Sequence, residues 1–248
     1  MAEITTRQNG AEVIWCDTAL LPEIDPNLFD PAWLAQTGRL TGTSTGRNTA
    51  WFLRHAGRDM VLRHYWRGGM VGRIIKDRFL REPVEASRAM REFTLLDWMH
   101  SQGLPVPRPI AARYSPAWPF YRADLLMERI PGTRPLADLL AESALPVTDW
   151  MRIGAVIARM HACGVNHSDL NCRNILLDHE GQIWLIDFDK CDRRPQGRWT
   201  QDNLNRLERS LLKEKDKVPD LRWTDPDWGA LLEGYRAGAT PDGGQAPT

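Results

Sequence analysis

The sequence predicts an α+β fold with a sheet-rich N-terminal half and a smaller, mostly helical C-terminal half. Strand-like segments separated by glycine-containing turns dominate residues 38–130, which indicates an antiparallel sheet. One helical pattern interrupts those strands, and the most regular helical pattern comes after them. The breaker pair Pro131 and Gly132 separates the two halves. We therefore expect an N-terminal lobe over residues 38–130 and a C-terminal lobe over residues 131–240.

The N-terminal half begins with its least regular segment. Residues 1–37 mix proline, aspartate and short apolar pieces such as EVIW, so we expect an irregular N-terminal extension with one strand. The segments GRLTGTSTGRNTAWFL and DMVLRHYW follow and predict antiparallel strands around a glycine-rich hairpin. Apolar residues then recur at helical spacing from about Glu85 to His100, which predicts an amphipathic helix ended by Gly103.

The C-terminal half begins with the clearest helix. Thr148 is a suitable N-cap, apolar residues recur at i, i+3, i+4 and i+7, and Gly164 ends the pattern. The segments NILLD and QIWLID then predict two strands joined by a glycine-containing turn. From about Thr200 the sequence predicts a polar helical segment, and we expect residues 241–248 to form a frayed tail.

Composition narrows the functional classes. The 248 residues are 42% hydrophobic, which is enough to bury a core. Lysine plus arginine and aspartate plus glutamate both number 32, so the overall charge does not indicate nucleic-acid binding. The four cysteines lack CxxC pairing and zinc-like spacing, which favours reduced thiols in a cytoplasmic protein. No signal-peptide pattern occurs and no apolar stretch approaches about 20 residues, so we expect neither a secreted nor an integral membrane protein.

Two short motifs carry the strongest indication of chemistry. HSDLNCRNILL contains Asp169 and Asn174, and IWLIDFDK contains Asp187. A polar turn is the simple alternative, because aspartate and asparagine favour loops. Asp169 and Asn174 can nevertheless line one loop, and a hairpin would bring Asp187 alongside them. Oxygen ligands of this kind suit Mg²⁺, and phosphoryl transfer requires a carboxylate that orients the attacking hydroxyl.

These motifs resemble those of the protein-kinase-like superfamily. HSDLNCRN is similar to the H-R-D-L-x-x-x-N sequence of those enzymes, and IDFD is similar to their D-F-G region. The resemblance implies a reduced bilobal kinase fold with ATP and Mg²⁺ in its cleft. It implies that Asp169 is the catalytic base and that Asn174 and Asp187 are the metal ligands. His167 would then support the loop rather than transfer a proton.

The N-terminal half contains weaker matches to the nucleotide site of kinases. GTSTGRN, with Gly42, Ser44 and Gly46, resembles a loop that covers phosphates, although alone it is more typical of an ordinary hairpin turn. The resemblance also places adenine contacts at Met127 and Glu128, by order along the chain only.

Arg63 and Glu92 form the second part of that expected nucleotide site. Arg63 stands at the position of the kinase strand lysine, and Glu92 on the next helix is the candidate for its ion-pair partner. Arginine retains the charge and can bind phosphate oxygens bidentately. The alternative is a surface pair of Arg88 and Glu92 on one helix, worth only about 0.3–0.5 kcal/mol. We favour the active-site interpretation.

Departures from the kinase pattern narrow the acceptor class. Ser168 replaces the arginine that receives the charge of a phosphorylated activation loop in many protein kinases, and Asp189 replaces the D-F-G glycine. Control by loop phosphorylation is therefore not expected. The short segment after Asp189 contains no A-P-E sequence, so we do not expect the helical platform that binds peptide substrates. A small-molecule or glycolipid hydroxyl fits better as the acceptor.

A basic stretch from Arg63 to Arg81 is the remaining candidate for binding. It contains five arginines and one lysine against one aspartate, with apolar residues interleaved. Such a segment can lie on an anionic membrane or bind acidic sugars and phosphates, and we assign Arg67, Arg73 and Lys76 to the acceptor. A solvated helix face with a buried apolar side is an equal alternative.

The basic stretch and the two motifs together resemble one kinase family. VLRHYWRGGMVGRI, followed by HSDLNCRNILLD and IWLIDFDK, is similar to the kinases of 3-deoxy-D-manno-octulosonic acid (Kdo), which act on the lipopolysaccharide inner core of Gram-negative bacteria. The resemblance implies ATP-dependent phosphorylation of the 4-hydroxyl of Kdo in Kdo-lipid A. It also implies a peripheral protein at the cytoplasmic face of the inner membrane, with no nucleic acid and no obligate protein partner.

Two alternatives stay open at this point. The first is a kinase of the same fold that acts on a heptose, an aminoglycoside or a protein, because only the resemblance identifies the sugar. The second is a pseudokinase that binds a nucleotide without catalysis, as Arg63 and Asp189 suggest. The joint presence of Asp169, Asn174 and Asp187 argues against the second, since a binding module needs no proton acceptor.

Overall fold

The computed structural model describes residues 3–44, 49–67 and 77–239. The chain forms two compact units. The first unit comprises Met1–Gln102 with Pro107–Ile130, and the second comprises Gly103–Val106 with Pro131–Thr248. Within the described ranges the first unit contains an antiparallel sheet with one long helix, and the second contains short strands and longer helices. The predicted α+β class is confirmed.

Eight strands among the described residues form the sheet of the first unit. They are β1 (Ile4–Asn9), β2 (Glu12–Asp17), β3 (Leu40–Thr43), β4 (Ala50–His55), β5 (Arg58–His64), β6 (Phe79–Leu80), β7 (Pro109–Ala117) and β8 (Phe120–Glu128). Their order is β1–β2–β7–β8–β5–β4–β3, with β6 paired to β8, and every pairing is antiparallel. β5 lies inside the sheet between β4 and β8, so the backbone on either side of Arg63 is hydrogen-bonded.

The sequence predicts an irregular extension with one strand over residues 1–37, but the described part of this segment, residues 3–37, contains two strands. β1 and β2 form a hairpin and β2 pairs with β7, so this segment belongs to the sheet. All six residues of β1 are exposed, and therefore no apolar alternation marks the strand. A 3-10 helix (Pro26–Phe29) and helix α1 (Pro31–Gln36) follow, and the carboxylates of Asp25 and Asp30 accept hydrogen bonds from their first turns.

Helix α2 (Arg88–Ser101) is the long helix of the first unit. It begins three residues after the predicted start, because a 3-10 turn (Val84–Ala86) precedes it. Its buried stripe includes Phe93, whose ring lies 6.3 Å from that of Trp15 on β2. Ile14, the neighbour of Trp15, points to the opposite side of the strand and belongs to a separate apolar cluster. Apolar side chains therefore cover both faces of β2.

The second unit consists of short strands and helices. Its elements are β9 (Arg134–Pro135), α3 (Leu136–Glu142), α4 (Val147–Ala162), β10 (Val165–Asn166), β11 (Ile175–Leu177), β12 (Ile183–Leu185), β13 (Asp192–Arg193), α5 (Trp199–Lys217) and α6 (Asp225–Ala239). The strands form a sheet of order β12–β11–β9 and a separate pair, β10–β13. The predicted pair NILLD and QIWLID corresponds to the β11–β12 hairpin.

Helix α4 begins differently from the prediction. Thr148 is not its N-cap: the helix starts at Val147, and Pro146 precedes it without a side-chain hydrogen bond. The carbonyl of Pro146 accepts the first helical bond, from the N–H of Asp149 at 3.0 Å, so Thr148 lies within the first turn. The predicted end is confirmed, because Gly164 follows the helix with a left-handed φ of 74°.

Glycines allow α4 and α6 to approach closely. A Cβ atom added at Gly154 of α4 would lie 2.0 Å from the carbonyl oxygen of Leu231. A Cβ atom added at Gly234 of α6 would lie 2.0 Å from the carbonyl oxygen of Met151. Backbone atoms cannot move aside as a flexible side chain can. The packing of α4 on α6 therefore requires glycine at both positions.

Substitution of Gly234 tests this packing. We expect Gly234→Ala to lower the free energy of unfolding by about 1–3 kcal/mol or more, since the methyl group would overlap backbone atoms. Gly229→Ala on the same helix is the matched control, because no atom lies within 4 Å of its Cβ position. That change should raise stability by roughly 0.5–1 kcal/mol through helix propensity. Urea unfolding measures both, and equal stability of the two variants would contradict the packing.

Candidate active site

Asp169, Asn174 and Asp187 all lie in the second unit. We call the segment between β10 and β11 loop 167–174. β11 and β12 pair with Ile175 opposite Leu185, and the next residues continue the contact: the N–H of Ile186 donates to the carbonyl of Asn174 at 3.0 Å. Asp187 therefore follows directly after a residue that is bonded to the loop. The hairpin arrangement predicted from the spacing is observed, while the chemical roles of the three residues stay predictions.

Two side-chain amides fix the backbone at Asp169. Nδ2 of Asn174 and Nδ2 of Asn171 each donate to the carbonyl oxygen of Asp169, both at 2.9 Å. Because the amide nitrogen of Asn174 is used in this way, its Oδ1 is the atom left to accept or to bind a cation. Asn174 is buried and its orientation is set by this bond. A preorganised oxygen ligand costs little ordering entropy when a cation binds.

His167 is completely buried and supports the loop. Its Nε2 lies 3.0 Å from the carbonyl oxygen of Ile186, and its Nδ1 lies 3.3 Å from the backbone nitrogen of Asp169. The first contact requires an N–H on Nε2 and the second requires a lone pair on Nδ1, so the neutral tautomer fits both. Burial lowers the pKa of His167. The ring also packs on Phe188, with centroids 4.7 Å apart.

The turn that contains Asp187 has an unusual backbone. Asp187 has a φ of 64° and Lys190 has a φ of 61°, both in the left-handed region that non-glycine residues seldom adopt. Ser168 connects this turn to loop 167–174, because its hydroxyl donates to the carbonyl of Asp189 at 3.2 Å. Its backbone N–H lies 3.3 Å from Sγ of Cys191. Ser168, which departs from the kinase motif, thus holds the strained turn against the loop.

Helix α5 contacts loop 167–174 through the side chain of Asn203. This amide is buried; its Oδ1 accepts a hydrogen bond from the N–H of His167 at 3.0 Å. Its Nδ2 donates to Oδ1 of Asn166 at 3.0 Å, and Oδ1 also lies 3.3 Å from Nε2 of His161. Nδ1 of His161 lies 2.8 Å from the hydroxyl of Tyr235. These contacts form one buried polar network under the loop.

Two further residues of α5 bind the far end of the loop. The hydroxyl of Ser210 accepts a hydrogen bond from the N–H of Cys172 at 3.0 Å, and Glu214 forms an ion pair with Arg173 at 2.7 Å. The sequence alone did not identify Asn203, Ser210 and Glu214 as supports of the loop. A signal was available, because they recur at i, i+7 and i+11 among the apolar residues of the helix. Polar residues within an apolar stripe require buried partners.

Asp169 itself is accessible to a substrate. Its side chain is 60% exposed, and Nη1 of Arg206 lies 3.9 Å from its Oδ1. The fixed backbone and the exposed carboxylate suit a group that must meet a substrate hydroxyl in one orientation. Arg206 is not recognisable from the sequence either, because it lies 37 positions away in a helix that carries no recognised motif.

In the first unit, Arg63 on β5 forms an ion pair with Glu92 on α2. The hydroxyl of Tyr65 donates to the same carboxylate at 2.6 Å, and the guanidinium of Arg63 lies 4.8 Å from the centre of the Tyr65 ring. Glu92 is 3% exposed, so the alternative of a solvent-exposed Arg88–Glu92 pair does not fit. The guanidinium of Arg88 lies over the rings of Tyr65 and Phe79.

The predicted phosphate-covering loop is described only in part. Gly42 belongs to β3, and a Cβ atom there would make an ordinary contact of 3.4 Å with Phe52. Ser44 closes the hairpin: its hydroxyl accepts from the N–H of Ala50 at 3.0 Å, and its N–H donates to the carbonyl of Ala50 at 2.9 Å. Gly46 lies outside the described residues. The phosphate-binding role of this loop stays a prediction.

Met127 and Glu128 end strand β8, where adenine contacts were predicted. Met127 is buried. The carboxylate of Glu128 pairs with Arg58 at 2.9 Å, and its backbone N–H donates to the carbonyl of Arg108 at 2.9 Å. The backbone donor of Glu128 is therefore engaged within the first unit, and the adenine contact stays a prediction.

Of the three side chains predicted to bind the acceptor, only that of Arg67 lies among the described residues. Arg67 donates from Nη1 to the carbonyl of Arg78 at 3.3 Å. Arg73 and Lys76 lie outside the described residues. Their proposed contact with an anionic acceptor therefore stays a prediction.

The donor set for a metal ion is small. Within residues 3–44, 49–67 and 77–239, no group of three or more histidine, cysteine, aspartate or glutamate side chains could hold a metal ion. The predicted ligands are one carboxylate, Asp187, and one amide oxygen, Asn174. Two oxygen ligands suit Mg²⁺, which commonly keeps several waters and binds substrate phosphates. The residues present therefore fit Mg²⁺ bound together with a nucleotide rather than in an all-protein cage.

Comparison with known proteins identifies relatives over nearly the whole chain. The model of the lipopolysaccharide kinase (Kdo/WaaP) family matches residues 31–235. A 3-deoxy-D-manno-octulosonic acid kinase of Vibrio parahaemolyticus is 43% identical over 226 residues, 91% of this chain and 94% of the relative. Another, of Mannheimia succiniciproducens, is 41% identical over 85% of this chain and 90% of the relative.

A solved structure shows a weaker likeness. The structure of WbdD with the kinase inhibitor LY294002 is 17% identical, with a TM-score of 0.47 over 81% of this chain and 45% of that chain. This level of similarity supports no conclusion about the site.

The buried histidines make stability depend on pH. Burial lowers the pKa of His161 from 6.5 to about 4, and that of His167 is lowered as well. The unfolded chain therefore binds protons below pH 6.5 that the folded protein does not bind. We expect the free energy of unfolding to fall as pH decreases from about 6.5 towards 4, by up to about 1.4 kcal/mol per pH unit for each histidine.

Urea unfolding at several pH values, compared between two variants, measures this effect. His161→Gln removes one buried titrating group, so its stability should change less steeply between pH 6.5 and 4 than that of the wild type. His179→Gln is the control, because that side chain is 83% exposed, and its slope should match the wild type. Equal slopes in all three proteins would show that His161 binds protons equally in the folded and unfolded states.

Proposed function

The chain belongs to the lipopolysaccharide kinase (Kdo/WaaP) family, and we propose that it transfers the γ-phosphoryl group of ATP to the 4-hydroxyl of Kdo in Kdo-lipid A. The reaction is a phosphotransfer to an alcohol during synthesis of the lipopolysaccharide core, as in the relatives that carry the name Kdo kinase. The observation that supports it most is the arrangement of loop 167–174, with Asp169 exposed on a fixed backbone and Asn174 bonded to the hairpin of Asp187.

Asp169 has the properties of the group that receives the acceptor's proton. The oxygen of the 4-hydroxyl attacks the γ-phosphorus of ATP, and the bond from that phosphorus to the bridging oxygen of the β-phosphate breaks, so ADP leaves. The hydroxyl proton passes to the Asp169 carboxylate. Phosphoryl transfer depends mainly on positioning, and the two amide bonds to the Asp169 carbonyl orient this carboxylate before the acceptor binds.

Asn174 and Asp187 would hold the metal ion of the reaction. Mg²⁺, when bound, neutralises charge on the donor phosphates. Nδ2 of Asn174 donates to the carbonyl of Asp169, which leaves Oδ1 of Asn174 to bind a cation, and Asp187 has a left-handed φ of 64°. Together they supply one neutral and one charged oxygen, which leaves positions for water and for phosphate oxygens.

Arg63 would contact the donor phosphates. Its guanidinium is oriented by Glu92 and by the ring of Tyr65, and its side chain is only 15% exposed. Gly42, Ser44 and Gly46 would cover the phosphates, and Met127 and Glu128 would lie near the adenine; these assignments rest on the resemblance to kinases.

We also propose that the protein attaches peripherally to the cytoplasmic face of the inner membrane. No described helix has the length and apolarity needed to cross a bilayer. Among the described residues of the first unit, the two most exposed large apolar side chains are Trp118, at 80%, and Leu80, at 65%. Arg81 links them, since its N–H donates to the carbonyl of Pro119 at 3.1 Å and its guanidinium lies 5.8 Å from the centre of a Trp118 ring.

This group, which we call the Trp118 surface, has the chemistry of a membrane contact. Tryptophan favours the membrane–water interface, where its apolar ring and its N–H are both accommodated. Arg81, with the cations between Arg67 and Arg78 in the preceding segment, is attracted to anionic headgroups. A glycolipid acceptor lies in the membrane, so attachment through this surface would bring the enzyme to its substrate.

Loss of the Asp169 carboxylate tests the proposed reaction. We expect Asp169→Ala to lower kcat for phosphorylation of Kdo-lipid A by roughly 10²–10⁴-fold, because the proton acceptor is removed. Glu180→Gln is the control, since the Glu180 side chain is 80% exposed and lies in the turn between β11 and β12; its kcat should equal that of the wild type. Transfer of ³²P from labelled ATP measures the rate. Wild-type turnover by Asp169→Ala would exclude this residue as the base.

Substitution of the Trp118 surface tests the membrane contact. The double variant Leu80→Ser, Trp118→Ser should bind vesicles of phosphatidylglycerol and phosphatidylcholine roughly tenfold or more weakly, because it loses the apolar area that enters the interface. Val147→Ser in the second unit is the control, since Val147 is also exposed at 59%. Vesicle sedimentation measures binding. A membrane contact through the Trp118 surface is refuted if the double variant sediments with vesicles like the wild type, or if Val147→Ser weakens vesicle binding equally.

A further inference from the structure

Arg206 occupies a defined position against Asp169. It lies on α5 three residues after Asn203 and four before Ser210, and both of those residues are bonded to loop 167–174. Residues three and four apart share one face of a helix. Arg206 therefore faces the loop from a helix that is attached to it on either side, and its Nη1 lies 3.9 Å from Oδ1 of Asp169.

Arg173 and Arg194 of the second unit have carboxylate partners of their own. Arg173 pairs with Asp138 at 3.3 Å and with Glu214 at 2.7 Å. Arg194 pairs with Asp192 at 2.5 Å. In the described part of the second unit, the ion-pair partner of Asp169 is Arg206. The Arg206 side chain is 48% exposed, so a ligand can reach its guanidinium.

The proposed acceptor creates an electrostatic problem at this position. Kdo is an acid sugar whose carboxylate is attached to ring carbon C2, and only C3 separates C2 from C4. When the 4-hydroxyl meets Asp169, the acceptor's carboxylate is therefore close to the Asp169 carboxylate. Like charges repel at this range unless a cation lies near both. The guanidinium of arginine matches a carboxylate through two parallel hydrogen bonds.

We propose that Arg206 binds the carboxylate of the acceptor and thereby selects an acid sugar at the Asp169 site. The inference rests on the proposed function, because it uses the geometry of a Kdo acceptor. The long side chain of Arg206 reaches the Asp169 carboxylate in the structure, and the same reach covers a carboxylate that lies beside it. Neutral sugars with a similarly placed hydroxyl lack the partner for Arg206 and bind less well.

A structural role for Arg206 makes a different prediction. An arginine that only orients Asp169 affects every acceptor alike, whatever charge the acceptor carries. An arginine that binds the acceptor's carboxylate affects charged acceptors alone. Comparison of Kdo-lipid A with its Kdo methyl ester, both in detergent micelles, separates the two roles.

The experiment measures kcat/KM of the wild type, Arg206→Met, Arg206→Lys and Arg209→Met on both acceptors. The wild type should prefer the acid over the ester by roughly tenfold to a hundredfold, the range of a charge-assisted hydrogen bond. Arg206→Met should lose a similar factor on the acid, mainly through KM, and should show no preference between acid and ester. Arg206→Lys should recover part of the preference. Arg209→Met, an exposed neighbour on α5, should behave like the wild type.

Several outcomes would overturn the inference. An equal loss on acid and ester in Arg206→Met would assign the residue to positioning of Asp169, and a preference for the acid that survives in Arg206→Met would place the carboxylate elsewhere. Thermal unfolding of each variant excludes loss of the fold. If the wild type phosphorylates the acid, either of these results leaves the proposed function intact. A wild type that phosphorylates neither acceptor refutes the proposed function and this inference together.

Discussion

The buried amide of Asn203 is the interaction on which the functional part of the second unit depends. One oxygen accepts from the backbone of His167 and lies next to the ring of His161, and one nitrogen donates to Asn166. A buried polar group without a partner costs several kcal/mol by transfer estimates, so removal of this amide would leave several such groups unsatisfied at once. The network therefore gives the loop a single low-energy position relative to α5, and Tyr235 extends the same network to α6.

From that anchor the loop is fixed at successive points along its length. Two side-chain amides bind the carbonyl of Asp169, and the hydroxyl of Ser168 binds the turn after Asp187. Neutral groups supply these contacts, while the Asp169 carboxylate is 60% exposed. This division suits phosphoryl transfer, in which positioning and electrostatics supply most of the catalysis and a displaced carboxylate would be ineffective. The left-handed backbone at Asp187 is strained, and the surrounding contacts hold it in place.

The sequence predicted the parts of this arrangement that are local. The spacing of Asp169, Asn174 and Asp187 and the β11–β12 hairpin follow from residue order, and α4 follows from its apolar period. The exposed strand β1 could not be predicted, because burial provides the alternation by which strands are recognised. Asn203 and Arg206 could not be assigned either. Their partners lie 36 and 37 positions away, and a single sequence does not show which polar residues of a helix face a distant loop.

Mass spectrometry of Kdo-lipid A, after incubation with the protein, ATP and Mg²⁺, tests the central claim most directly. The account predicts a mass gain of one phosphoryl group, and fragmentation should place that group on the Kdo residue, with NMR assigning it to O4. An unchanged mass of Kdo-lipid A under conditions in which a heptosylated acceptor gains the phosphoryl group would contradict the account. Binding of ATP without phosphorylation of any acceptor would also contradict the account, because Asp169 would then not act as the base of a transfer reaction.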